Sequence, residues 1–113
     1  MFSGKKFAAK LEKDEKIVIT IALGYGETQG VSRKSKPMET LCNVDGDMPG
    51  WFRSGMEAAM LAPTAINQQK FLFTLSDGAV KAEDKGGSFS KIDLGIVKYH
   101  FEVGAGVENF KWR

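Results

Sequence analysis

The sequence predicts a mixed α+β fold, a small sheet flanked by helices, and three observations carry that expectation. Apolar residues recur at helical spacing in two stretches, residues 52–60 and 92–103. The run Ile17-Val18-Ile19-Thr20-Ile21-Ala22-Leu23 is nearly all apolar and rich in β-branched residues, as a strand buried on both faces would be. Phe71, Phe73 and Leu75 alternate ahead of Ser76-Asp77-Gly78, a strand and turn that residues 79–83 can close as a hairpin.

Taken in order, residues 4–12 read as a short helix, with Ser3 as its cap and Phe7 and Leu11 on one face. Lys13-Asp14-Glu15-Lys16 is a solvated connection to the strand at 17–23, which Gly24-Tyr25-Gly26 ends. Residues 27–49 carry Gly30, Pro37, Gly46 and Pro49 among polar residues. They read as a loop broken by a turn of helix at 38–41, and as the hinge or boundary of the chain. Residues 51–61 form a helix with the apolar stripe Phe52, Met56, Ala59 and Met60, and Pro63 stops it. Thr64 can cap a short helix through Asn67. After the hairpin, Lys85-Gly86-Gly87 is a loop, and Ser90 with Asp93 is a capping box. Behind it Ile92, Ile96, Tyr99, His100 and Val103 share a helical face, and Gly104 is placed to end that helix. Asn109-Phe110-Lys111-Trp112 suits an edge strand or a packing tail.

Composition bounds the function. A chain of 113 residues is one domain by default. A domain of this size buries about two-thirds of its unfolded surface. A hydrophobic share of 42% and a charged share of 27% describe an ordinary globule. A net charge of +2 suggests no nucleic-acid partner. The single cysteine, Cys42, excludes an intrachain disulfide, and with the single histidine, His100, a Cys/His zinc site is out of reach. No metal site is expected. The run at 17–23 is too short to span a bilayer, so no membrane partner is expected. Met1-Phe2-Ser3-Gly4-Lys5-Lys6 lacks the features of a signal peptide, which makes the cytoplasm the default compartment. No nucleophile elbow, Walker loop, dinucleotide fingerprint or zincin motif occurs. A nucleophile and base would have to be Cys42 and His100, far apart in sequence, and Cys42 reads as a bystander thiol in a polar loop. No catalytic side chain is assigned. Enzymes without such groups often borrow their chemistry from a cofactor.

Residues 62–71 supply the groups such a cofactor needs. Thr64 brings a hydroxyl, Asn67, Gln68 and Gln69 bring amides, and a helix start brings backbone N–H groups. These suit a polar ligand carrying phosphate or several carbonyls. They also suit a cap followed by a solvated turn, which is the reading the residues alone favour.

The segment Ala62-Pro63-Thr64-Ala65-Ile66-Asn67-Gln68-Gln69-Lys70-Phe71 resembles the "APS-x-x-N-x-Q-P-W" signature of the nitroreductase family. In that family the Pro-Ser and Asn positions lie beside the flavin, commonly from the neighbouring subunit. The resemblance therefore implies cofactor contacts for Pro63, Thr64 and Asn67, with Gln69 behind. Thr64 stands where serine is usual and keeps the hydroxyl. Lys70-Phe71 stands where Pro-Trp is usual. Upstream, residues 17–23 with Gly24-Tyr25-Gly26 and Arg33-Lys34-Ser35-Lys36-Pro37-Met38-Glu39 are similar to the family's carboxy-terminal "LGYP…R-K-P-x-E-E" segment. Its basic residues contact the FMN phosphate, which makes Arg33, Lys34 and Lys36 the matching candidates. A solvated basic loop is the plainer reading of the same residues.

The order is informative. Here the segment that is late in an ordinary nitroreductase precedes the early one, as in single-chain nitroreductases that mimic a dimer. Residues 92–102, Gly104-Ala105-Gly106 and Asn109-Phe110-Lys111-Trp112 look like the closing helix and tail of that subgroup. The amino-terminal "R-R-S-x-R" and "G-L-G-T-C-W" motifs have no counterpart. The chain thus resembles the carboxy-terminal portion of a longer protein, one wall of a flavin site. The resemblance implies an FMN-dependent oxidoreductase with NAD(P)H as reductant and a small nitro- or quinone-like electron acceptor. It also implies a partner, either further copies in a homo-oligomer or a missing amino-terminal half. The alternative is a non-catalytic fragment or assembly module that binds no flavin by itself.

Overall fold

A computed structural model describes residues 10–113, and the chain divides into two units, Met1–Val31 and Ser32–Arg113. Most of the helix expected at 4–12 lies outside the described residues, and Lys10, Leu11 and Glu12 are not helical. In the first unit a turn closes where Glu15 N–H donates to the Glu12 carbonyl at 3.1 Å. The strand expected at 17–23 is not formed: no ladder is made there, and Val18, Ile21 and Leu23 are exposed, the last at 99%. β-branched residues favour a strand only when a neighbour offers a ladder and a surface to pack on. Among the described residues none does.

The second unit holds two α-helices and one four-stranded sheet. Pro37 precedes a 3₁₀ turn, Met38–Thr40, within the expected turn of helix. The next residues, expected as loop, form strand β1, Cys42–Val44. Helix α1, Gly50–Leu61, buries Phe52, Met56 and Ala59 of the expected stripe, and its fourth member, Met60, is half-buried. It ends at Ala62, ahead of Pro63, which disfavours helical geometry in its predecessor. Strands β2, Phe71–Ser76, and β3, Ala79–Asp84, form the expected hairpin. Asp77 and Gly78, with φ of 52° and 74°, make its two-residue turn. Helix α2, Ser90–Ala105, leads through a short turn to β4, Lys111–Trp112.

The sheet order is β1-β2-β3-β4, with β1 parallel to β2, β2 antiparallel to β3, and β3 parallel to β4. Each parallel pair is joined by one helix, so the unit is two β-α-β crossovers sharing a hairpin. β2 alternates buried and half-buried residues, and its inner face is Phe71, Phe73 and Leu75. On that face Phe73 stacks on Phe101 of α2, centroids 4.7 Å apart, and Phe101 meets Phe52 of α1 edge to face at 5.4 Å. Phe110 and Trp112 close the cluster, with Trp51 stacked on Phe110 at 5.7 Å. The aromatic stripe of α1 is therefore core.

Three expectations are corrected in α2. Its buried stripe is Ser90, Asp93, Val97, Phe101 and Ala105, so the face of Ile92, Tyr99 and Val103 points outward. Ser90 and Asp93 form no capping box: the cap position is Phe89, with φ 63° and no side-chain cap bond. Gly104 does not end the helix. The helix runs through Ala105 and stops at Gly106, whose φ of 81° suits glycine. Gly104 packs instead on the Ser54 backbone of α1.

Cys42 is also corrected, since it is buried on β1 with its thiol directed at the Met38 carbonyl, 3.4 Å away. Burial pushes its pKa above the ordinary 9.0, Glu39 pushes it the same way, and Arg53 opposes. The thiolate is the reactive form. Iodoacetamide at pH 8 is therefore expected to label Cys42 at least tenfold more slowly than free cysteine, and at the free rate in denaturant. Equal rates in the native protein would show an accessible, ionisable thiol.

Candidate functional site

The two sequence segments singled out above meet within the second unit, thirty or so residues apart in the chain. α1 delivers residues 63–69 at its carboxy-terminal end, and residues 33–36 run alongside them. Three bonds fasten the two. The Asn67 Nδ2 donates to the Lys34 carbonyl at 2.7 Å. The Lys36 backbone N–H donates to Gln69 Oε1 at 2.7 Å, and Gln69 Nε2 donates to Ser35 Oγ at 3.1 Å. Arg33 adds a fourth attachment, its guanidinium donating to the Met60 carbonyl in the last turn of α1. A guanidinium suits that position, where helix carbonyls lack partners and the dipole is negative.

The roles of the amides therefore differ. Gln69 is 2% exposed and both ends of its amide are used inside the protein. It is the clip that holds the basic segment. Asn67 uses its nitrogen in the same way, but its Oδ1 is buried with no hydrogen-bond partner. Such an atom costs about 1–3 kcal/mol unless something donates to it. It is the one buried side-chain polar atom among the described residues left without a partner.

Thr64 does not cap the turn that follows. The turn Ala65–Asn67 has no side-chain cap, and Thr64 Oγ1 accepts from the Gln69 N–H at 3.1 Å, five residues on. The hydroxyl closes the whole loop because the backbone between does not coil regularly. Ile66, Asn67 and Gln69 have φ of 46°, 54° and 44°, all left-handed. Asn tolerates that region; a β-branched residue does so at a cost, and Ile66 is 96% exposed besides. Strain of about 1–3 kcal/mol per residue persists only where surroundings impose it, and it concentrates at functional sites.

Beside the loop lies a cleft of about 510 Å³, lined by Arg33, Ser35, Met38, Glu57 and Met60 among others. Volumes of several hundred Å³ suit small-molecule sites. Pro63, Lys34 and Lys36 are exposed and do not line it; the two lysines flank the lining residue Ser35 in the chain. Neither lysine is in an ion pair; among the described residues the one such pair is Lys81–Glu83. Positive charge is therefore available there for an anion. The sequence marked Gln68 as a ligand amide but missed Asp93 and the bond between them. Gln68 Nε2 donates to Asp93 Oδ2 at 2.7 Å and to the Ser88 carbonyl at 2.8 Å, and Ala65 N–H donates to the same carboxylate. Ser90 and Asp93 have capping-box spacing, and that spacing hid the role of Asp93.

A second depression, about 370 Å³, lies between the outer faces of the helices and includes Leu61, Tyr99, His100 and Val103. His100 is half-buried and lines this depression, not the cleft beside the loop. No cluster of three or more His, Cys, Asp and Glu able to hold a metal occurs among the described residues. No helix among them is long and apolar enough to cross a membrane.

The mixed sheet with its two crossover helices is an α+β fold of nitroreductase-like type. The chain belongs to the family described as "Putative TM nitroreductase", whose model it matches over residues 1–105. Among solved structures it is similar to the crystal structure of a "putative nitroreductase" from Thermotoga maritima, with 25% identity and a TM-score of 0.59. That match covers 72% of this chain and 36% of the other, so this chain spans about a third of that relative's length. No curated protein matches it.

Proposed function

We propose that this chain forms one wall of an FMN site in a nitroreductase-type oxidoreductase, and the unpartnered Oδ1 of Asn67 is the observation that carries the proposal. A buried acceptor fits a ligand that can donate to it, as FMN can through its one ring N–H and its ribityl hydroxyls. Lys34 and Lys36 flank Ser35, a residue of the cleft lining, and are exposed with charge to spare for a phosphate, and Thr64 Oγ1 keeps its proton to donate. Pro63 fixes the entry to the loop. Arg33 and Gln69 act one step back, anchoring the basic segment to α1 and to the loop. When bound, FMN supplies hydride acceptance from NAD(P)H and delivery of electrons to a nitro- or quinone-like acceptor. The chain's own residues seat the cofactor, neutralise its charge and exclude water from one side; no acid or base need be supplied.

The exposed apolar residues support a partner surface. Leu61, Tyr99 and Val103 are 75%, 67% and 68% exposed on the helix pair. Either a second copy or the amino-terminal half of a longer protein would cover them.

Absorbance of the purified protein tests the proposal, since bound flavin gives visible bands. A colourless protein that FMN cannot reconstitute would favour the non-catalytic module instead. Asn67→Ala removes the acceptor and is expected to weaken FMN binding by about 1–3 kcal/mol. That is about fivefold to 150-fold in the dissociation constant. Unchanged affinity would remove Asn67 from the site.

A further inference from the structure

The loop that carries Thr64, Asn67 and Gln69 is held from outside itself, by the first turn of α2. Asp93 is 7% exposed, and both its oxygens accept from the Ala65 N–H, at 3.0 and 3.1 Å. Its Oδ2 also accepts from Gln68 Nε2 at 2.7 Å. The same nitrogen of Gln68 donates to the Ser88 carbonyl at 2.8 Å, so Gln68 ties the loop to the segment that leads into α2 as well. These bonds bracket Ile66 and Asn67, two of the three left-handed residues.

The carboxylate is suited to the task. It lies in the first turn of α2, where the helix dipole favours negative charge. Among the described residues no cation pairs with it, so its accepting capacity goes to neutral donors of the loop. Bonds to an ionised acceptor are roughly twice as strong as neutral ones. Nor is the side chain spent on its own helix: Ser90, its expected capping partner, donates instead to Asp84 Oδ1 at 3.2 Å. The turn at 65–67 has no side-chain cap of its own, and strained backbone persists only where its surroundings impose it.

We propose that Asp93, bridged by Gln68, is the positioning residue of the flavin-facing loop: it imposes the left-handed path that sets where Asn67 presents its unpartnered oxygen. Its ligand rests on the FMN reading, whereas the clamp is a property of the chain alone.

The test compares wild type, Asp93→Asn and Gln68→Met by FMN titration, thermal melting and amide hydrogen exchange at Ala65. Asn at 93 puts an NH₂ donor against the donors of Ala65 or Gln68. Its expected result is FMN binding weaker by tenfold or more and faster exchange at Ala65. Gln68→Met removes one link without a buried charge change. It should move both readouts in the same direction by less, and with a melting point close to wild type. If Asp93→Asn does not fold, Gln68→Met carries the test. Unchanged exchange at Ala65 overturns the proposal. So does unchanged FMN affinity against a wild type that binds, or a loss that vanishes once corrected for the folded fraction. A wild type that binds no FMN defeats the flavin reading alone. Faster exchange in the variants then still supports the clamp, and unchanged exchange ends it.

Discussion

Phe101→Ala is expected to cost about 3–5 kcal/mol, the range for emptying a buried aromatic site. Phe101 is fully buried and touches the rings of Phe52, Phe73, Phe110 and Trp112, which come from α1, β2 and the carboxy-terminal segment. Among the described residues no other ring meets four others, and truncation leaves ring faces from four neighbours without contact. Collapse cannot fill the gap, because those neighbours are stiff rings held by separate elements. The second unit spans residues 32–113, and stability of about 0.05–0.15 kcal/mol per residue gives it about 4–12 kcal/mol in all. The variant is therefore expected to be largely unfolded at its lower end. Urea titration followed by circular dichroism reads this directly. A midpoint within error of wild type would show that the aromatic cluster does not hold the unit together. Phe101→Leu, which keeps most of the volume, should lose less than half as much.

The hairpin, α1 and its terminus were legible because their signals are local. Alternation in 71–75, a turn needing positive φ at 77 and 78, and a proline after α1 each act on neighbouring residues. The strand at 17–23 was misread for the opposite reason. Its composition states a preference, but a ladder needs a partner, and none is present among the described residues. β1 was missed because three residues are too few to show a period, and it exists by pairing with β2. The face of α2 was misassigned because the helix is apolar on both sides. Its buried stripe contains Ser90 and Asp93, while Ile92, Tyr99 and Val103 stay outside, so counting apolar side chains selects the wrong side.

The site shows the same division. The sequence marked both segments, 33–36 and 63–69, and the structure fastens them together. What it did not reveal was the division of labour within them. Nothing local distinguishes Gln69, whose amide is fully used, from Asn67, whose oxygen is not. Nor could capping-box spacing show that Asp93 serves a loop 28 residues away in the chain. Hydrogen-bond partners across such distances follow from how α1 and α2 lie on each other, and that in turn follows from two glycines.

Gly104→Ala should be the second most damaging single change, and its sign is a contest between two effects. Replacing an interior helical glycine by alanine favours the helix by about 1 kcal/mol. Against this, a Cβ at 104 would lie 2.5 Å from the Ser54 carbonyl oxygen and 2.6 Å from Ala58 Cβ. A backbone oxygen inside α1 cannot step aside unless the whole helix does. Gly55 meets α2 in the same way, with Phe101 Cε2 only 2.6 Å from where its Cβ would be. The two helices are therefore as close as their backbones allow, and overpacking there costs about 1–3 kcal/mol or more. The clash exceeds the propensity gain, and Gly104→Val, with more bulk and a smaller propensity gain, should be worse. For a unit of this size each kcal/mol lowers the melting point by about 4–8 °C, so a fall of that order is expected for the alanine variant and a larger one for valine. A melting point equal to or above wild type in Gly104→Ala would mean the helices part at no cost. The consequence reaches the site, because α1 runs into the loop at 63–69 while Asp93 rides on α2. Separating the helices by even part of an ångström lengthens the bond from the Ala65 N–H to Asp93. Faster hydrogen exchange at Ala65 should therefore accompany the lower melting point, although residue 104 touches neither partner.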